Sequence, residues 1–287
     1  MHMKKEERTM QGGLRKMEPV LGSDNKVSYT LHLDGKHAVD MNKLIGKTLR
    51  FTSDGSINCV HCGSETPKSY SQGHCFTCQT SLASCDQCRV QPEKCHYAAG
   101  TCREPSWGEE NCMTKHFVYI AYSSGFKVGI CRGKNLPSRW LDQGAVVATT
   151  IFEVSERLLS GLVETAFKEH VSDRTNWRKM LLEDESPSDA EFNAKVNSLV
   201  DASKDAIDQL QLHYGADAIV RTPVNIVRPE FPIKERPFAK VKNPHKFEKT
   251  PVLEGVLHGI KGQYLFVGDT TINVRANAGF NVNIDVI

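Results

Sequence analysis

The sequence predicts an α+β protein: a small sheet with flanking helices, preceded by a cysteine-rich segment and flanked by β-rich N- and C-terminal parts. Three observations carry this. Runs of β-branched and aromatic residues with period-two alternation sit toward both ends and again after His116. Two stretches of helical period lie between residues 155 and 215. Residues 57–114 show neither period and hold nine of the ten cysteines. A chain of 287 residues accommodates roughly one to three domains, and 39% hydrophobic residues suffice for a packed core, which excludes a wholly disordered chain. No run approaches the ~18 apolar residues of a membrane helix. The N-terminal MHMKKEERTM is charged and lacks the apolar stretch of a secretory signal, so no membrane partner is expected.

Residues 1–56 read as a β-rich N-terminal segment, with VSYTLHL (27–33) as a strand and Asp34-Gly35 as a turn. Residues 57–114, dense in Gly, Ser and Pro, form a cysteine-rich module in which no regular element is expected and a metal replaces the missing core. An α/β domain follows over 115–220. HFVYIAY and FKVGIC form a hairpin around Ser123-Ser124-Gly125, a short helix is expected around Pro137 to Gln143, and VVATTIFEV is a further strand. SERLLSGLVETAFKEHV then turns Leu158, Leu162 and Ala166, with Leu159, Val163 and Phe167 beside them, to one side. Arg157, Gly161, Glu164 and Lys168 fall on the opposite, solvated face. A second helix starts at Ser188, capped reciprocally with Glu191, and runs to Gly215. Residues 221–251 hold six of the twelve prolines and eight Lys/Arg against three acidic residues, the composition of an extended basic connector. Residues 252–287 return to a β meander through QYLFV, TINVR and FNVNIDVI.

The cysteines carry the clearest chemistry. Cys59-x-x-Cys62 and Cys75-x-x-Cys78, twelve residues apart, can surround one tetrahedral ion with four soft ligands, the preference of zinc. A second group begins at Cys85-x-x-Cys88 and continues through Cys102 and Cys112, with Cys95 or His96 as substitute ligands, so two structural Zn²⁺ ions are expected. Disulfide or redox pairs are the competing reading of each CxxC. Three such motifs in a chain with no export signal, expected in the reducing cytoplasm, favour metal.

Phe117-Val118-Tyr119 stands on the first strand of the hairpin and Lys127-Val128-Gly129 on the second, with Tyr119 and Gly129 ten positions apart. Arg139 follows in LPSRWLDQG and Glu164 in GLVETAFKEH. In this order the residues resemble the GIY-YIG endonuclease superfamily, which opens with Gly-Ile-Tyr and Tyr-Ile-Gly on paired strands. The likeness covers about 65 residues, Phe117 to Met180, and the stretch from His170 through DRTNWRKML is similar to the superfamily's phage-type branch. Of the two motifs only Tyr119 and Gly129 survive literally, and Lys127 replaces the second tyrosine. The resemblance implies a GIY-YIG-like sheet and phosphodiester hydrolysis. Tyr119 would act as a metal-assisted base, Arg139 would fork onto phosphate oxygens, and Glu164 would hold one Mg²⁺ or Mn²⁺. Lys127 would neutralise phosphate charge without copying a tyrosine's proton chemistry. The whole chain, through PEKCHYAAGTCREPSWGEENC (92–112), also resembles an uncharacterised microbial family of unknown function.

Three functions follow. One is a divalent-metal-dependent nuclease whose zinc module helps hold DNA or RNA. Another is a DNA- or RNA-binding protein that keeps the fold without the chemistry, for which Lys127 argues. The third is a zinc-stabilised protein-interaction module. The joint presence of Tyr119, Arg139 and Glu164 favours the first. Singly, each has an ordinary explanation: a half-buried strand tyrosine, a surface arginine, a solvated helix glutamate. Convergence on one surface separates the readings. In the connector, Lys240 and Lys242 are the expected phosphate contacts.

Overall fold

The computed structural model describes residues 9–287 apart from Lys36 and Asp184; the first eight residues of the charged N-terminal stretch lie outside the described residues. In chain order the N-terminal strands are β1 (Met10–Gly13), β2 (Glu18–Leu21), β3 (Val27–Leu33), β4 (His37–Asp40) and β5 (Thr48–Ile57). The cysteine block carries α1 (Phe76–Ser81) and α2 (Pro105–Asn111). Then come β6 (His116–Tyr122), β7 (Phe126–Arg132), α3 (Ser138–Asp142), β8 (Val147–Val154), α4 (Arg157–Lys168), α5 (Trp177–Leu182), α6 (Asp189–Ala202), α7 (Lys204–Tyr214) and β9 (Ile219–Arg221). The C-terminal part is β10 (Val252–Lys261), β11 (Tyr264–Val267), β12 (Thr270–Asn273) and β13 (Phe280–Val286). The α+β class expected from the sequence is the one observed. No described helix is long and apolar enough to cross a membrane.

The chain divides into two compact units. One joins the residues up to Gln79 with Glu230–Ile287 and contains a six-stranded antiparallel sheet, ordered β1-β13-β5-β10-β11-β12, and a three-stranded sheet, β2-β3-β4. Period-two alternation builds both. In β3 the side chains of Val27, Tyr29, Leu31 and Leu33 point one way and are buried, while those between are more exposed. Asp34 and Gly35, at φ 50 and 68, take the left-handed conformation that the turn into β4 uses. The last strand does not continue a meander. β13 inserts between the edge strand β1 and β5, so the sequence-distant first and last strands pair side by side in one sheet.

The other unit, Thr80–Pro229, is built on the antiparallel sheet β7-β6-β8-β9. Both of its faces are covered, so β6 reads as a nearly continuous buried run. Val118, Ile120 and Val128 face a core shared with Leu159, Val163 and Phe167 of α4 and Phe192 and Val196 of α6. Tyr119, Ala121 and Cys131 face the other way, against Trp140. Burying each large apolar side chain of α4 contributes roughly 1.5–3 kcal/mol.

Three expectations are corrected here. The helix expected from Ser188 to Gly215 has the capping box as read, but it breaks at the buried Ser203 into α6 and α7. The break lets both helices turn a face to one core, which Phe192 of the first and Ile207 of the second enter. The cysteine block does contain helix; α2 starts with Pro105 at its first turn, where a missing N–H costs nothing. And the supposedly solvated face of α4 is covered, since Gly161 and Glu164 are buried.

Candidate functional site

The first cysteine group is assembled by two tight turns after β5. Gly63, at φ 75, lets the Cys59–Ser64 turn close, with the Gly63 N–H on the Cys59 carbonyl at 2.9 Å and the Cys59 N–H on the Ser64 carbonyl at 2.8 Å. Cys75 and Cys78 come from the start of α1. The ligand atoms of Cys59, Cys62, Cys75 and Cys78 all lie within 4.8 Å of one another. Cys62 Sγ and Cys75 Sγ are 3.8 Å apart. All ten cysteines are free, and that separation suits a shared ion better than a disulfide. A disulfide requires about 2.05 Å, whereas a tetrahedron with 2.3 Å zinc–sulfur bonds has edges of about 3.8 Å. Backbone N–H groups already point at the sulfurs, from Cys75 to Cys59 Sγ at 3.3 Å and from Cys78 to Cys75 Sγ at 3.5 Å. Hydrogen bonds from the Ser64 side chain and backbone bring the Cys62 thiol down to about 6, while burial pushes that of Cys78 up. This donor set fits a metal and is consistent with zinc. His74 takes no part; its Nδ1 lies 2.8 Å from the Ser71 carbonyl.

The second group shares Cys88 with the expected set and includes His96, one of the expected substitutes. Cys88 and His96 come together with Asp86, their ligand atoms within 4.8 Å, and could hold an ion through mixed S, N and O donors. Cys85, Cys102 and Cys112 are not members of this group. Cys102 Sγ contacts the Glu104 carbonyl at 3.5 Å, and Cys112 lies against Cys95, whose thiol that contact brings down to about 6. Sequence reading missed Asp86, although it sits inside the Cys85-x-x-Cys88 turn. His96 is oriented as a ligand would be, with Nδ1 2.8 Å from Thr101 Oγ1 and Nε2 3.5 Å from Asp86 Oδ2. Asp86 also pairs with Arg103 at 2.7 Å.

The third assembly is on the sheet β7-β6-β8-β9. Tyr119 on β6 and Gly129 on β7 are register partners. The tyrosine ring lies across the glycine so closely that a Cβ there would fall 2.5 Å from the phenol oxygen. The two residues that survive from the paired motifs are therefore one packing unit. The Tyr119 hydroxyl donates to Gln143 Oε1 at 3.0 Å, and Trp140 packs edge-on at 6.0 Å. Burial drives the phenol above its ordinary range; the Arg139 cation opposes this and the Glu164 carboxylate adds to it.

Lys127, 4% exposed, lies on the same face of β7 as Gly129, with Nζ 3.2 Å from Thr175 Oγ1. Burial brings its ammonium down to about 8, and the Arg139 cation acts in the same direction against the Glu164 and Asp173 carboxylates. Glu164 on α4 is raised by burial, opposed by Lys168 at 3.3 Å. Tyr119 and Lys127 thus each feel both the half-buried Arg139 and the buried Glu164. Lys240 and Lys242 belong to the other unit. Both are exposed, and Lys242 is held by Asp269 at 2.9 Å.

A family model described as "Protein of unknown function (DUF2797)" matches residues 46–282. No curated protein and no solved structure matches the chain.

Proposed function

The chain belongs to the DUF2797 family of proteins of unknown function, and from that premise we propose that it is a zinc-containing protein acting on nucleic acid, a divalent-metal-dependent phosphodiesterase of GIY-YIG-like design. One observation carries the reading. Tyr119, Lys127, Arg139 and Glu164 come from two strands and two helices spread over 46 residues, and they share one electrostatic neighbourhood. Ordinary surface or core roles do not require this convergence.

The chain's own residues supply most of what phosphodiester cleavage needs. Arg139 forks onto phosphate oxygens, and Lys127 adds a second positive charge in a site of reduced dielectric, where such charges act most strongly. Tyr119, buried with its hydroxyl donating to Gln143, would act on the attacking water by exchanging that bond. A Mg²⁺ or Mn²⁺ at Glu164 would supply Lewis acidity and lower the proton affinity of bound water. Glu164 fits such an ion in kind, being an oxygen donor in a poorly solvated place, where an ion would compete with Lys168 for it. The cysteine groups would each take one Zn²⁺, and Lys240 and Lys242, in the other unit, would offer phosphate contacts of their own.

A second reading has specific support. Lys168 pairs with Glu164, and a lysine stands where a tyrosine is expected, so a binding protein without chemistry is the alternative. Single- and double-stranded DNA and RNA, with and without Mn²⁺, separate the two. The enzyme cleaves at least one of them, and Glu164→Gln abolishes cleavage while leaving binding nearly intact. Arg139→Ala lowers both, with the rate down roughly 10²–10³-fold. Binding without cleavage in any divalent metal selects the alternative, and cleavage that survives Glu164→Gln removes the assignment.

A further inference from the structure

Residues 88–96 make a short loop with Cys88 and His96 at its ends and Pro92–Glu93 at its apex. The ends belong to the mixed Asp86, Cys88 and His96 group. The apex lies directly against α4. A Cβ on Gly161 would fall 2.2 Å from the Glu93 nitrogen and 2.6 Å from the Pro92 carbonyl carbon, so helix backbone and loop backbone touch. Both possible obstacles are backbone, which no rotamer change can clear.

The first turn of the same helix is tied to the same module. Glu156 at its N-cap makes no side-chain capping bond. Instead the Arg157 N–H donates to the Cys112 carbonyl at 2.8 Å. The Arg157 guanidinium donates to the Arg89 carbonyl at 2.6 Å and to the Cys88 carbonyl at 3.4 Å. Cys88 is thus a candidate metal ligand through its sulfur and a helix anchor through its carbonyl. Gly161 and Glu164 are three residues apart, neighbours on one helix face. The position of that face is the position of the Glu164 carboxylate.

We propose that a metal ion at Asp86, Cys88 and His96 is a positioning element for α4. By closing the 88–96 loop, it shapes the seat on which Gly161 rests and so sets where Glu164 stands. Pinning both ends of a loop removes freedom that its middle would otherwise have. The loop's own backbone bonds, Lys94 N–H to the Gln91 carbonyl and Cys95 N–H to the Pro92 carbonyl, are single turns, and its ends meet through the 3.5 Å approach of His96 Nε2 to Asp86 Oδ2, where an ion would bind them more firmly. The inference rests on the functional reading only in giving Glu164 a role.

Hydrogen–deuterium exchange of the full chain, with metal content measured on the same samples, tests it without any nucleic acid. His96→Ala is expected to lose one zinc per chain and to exchange roughly tenfold faster over 157–168, while β6 and β7 stay protected. His96→Cys, which keeps a ligand, is expected to restore both the metal and the protection of α4. Gly161→Ala is expected to keep both metals and still loosen α4, because it spoils the seat and not the ion. Unchanged exchange of α4 in a variant that has lost this metal overturns the proposal. So does full metal content in His96→Ala, or restored metal without restored protection in His96→Cys. Absence of cleavage would remove the nuclease reading and leave these outcomes as they are.

Discussion

Lys127 occupies the place where the resemblance expects a tyrosine, and burial has changed what it can do. Its ammonium is brought down to about 8, so at pH 7 it is still mostly charged, and under the proposed function it would serve as a phosphate-facing cation. The sign follows directly. The cation is present below about 8 and is lost as pH rises through that value. Nucleic-acid affinity is therefore expected to fall between pH 7 and 9, well before ordinary lysines titrate. Lys127→Arg should hold affinity flat across that range, and Lys127→Met should leave it low throughout. Binding titrations at fixed ionic strength measure this, and a flat wild-type profile would dissociate Lys127 from the bound phosphate. None of it was legible in the sequence, because burial belongs to the whole sheet and its covering segments, including Thr175, and not to the residue's neighbours in the chain.

At the scale of elements, the hairpin β6–β7 is organised around the contact of Tyr119 with Gly129. Gly129→Ala is expected to push the phenol off Gln143 and to destabilise the unit by roughly 1–3 kcal/mol through overpacking. Gly133→Ala, whose Cβ would meet only the edge of Phe117 at 3.3 Å, is the control and should cost less. Urea unfolding of the two variants compares them; equal costs would mean the motif glycine has no special packing role. Elements of this kind were readable where local pattern and tertiary demand agree. The hairpin, the short helix after Pro137 and the Ser188 cap all rest on contacts within a few residues. The break at Ser203 and the burial of the polar face of α4 were not readable. Both depend on what packs against the helix, and periodicity records only which residues share a face.

The candidate sites show the same division at the scale of the molecule. The group of Cys59, Cys62, Cys75 and Cys78 was legible because two CxxC turns are local and their spacing suits one ion. Of the second group Cys88 and His96 were among the expected ligands, but surplus cysteines left several sets open and the carboxylate of Asp86 carries no spacing signal. Elemental analysis of reduced protein is expected to give two zinc ions per chain, and fewer than one would refute metal binding by these groups. The position of β13 between β1 and β5 makes a further demand. Removing residues 280–287 takes out an interior strand with buried Phe280, Val282 and Ile284, so the unit containing it should lose cooperative unfolding while Thr80–Pro229 keeps its own transition. Two retained transitions in scanning calorimetry would show the sheet can do without its last strand. The same arrangement matters while the chain is being made. Arg50 on β5 meets Glu254 on β10 across 204 residues of sequence. At ordinary translation speeds β5 waits roughly 10–40 s for that partner, and longer for β13. During that interval the inserted unit can finish folding as it leaves the ribosome. The early strands, with their row of open hydrogen-bonding groups, are then the part of the nascent protein most in need of a chaperone.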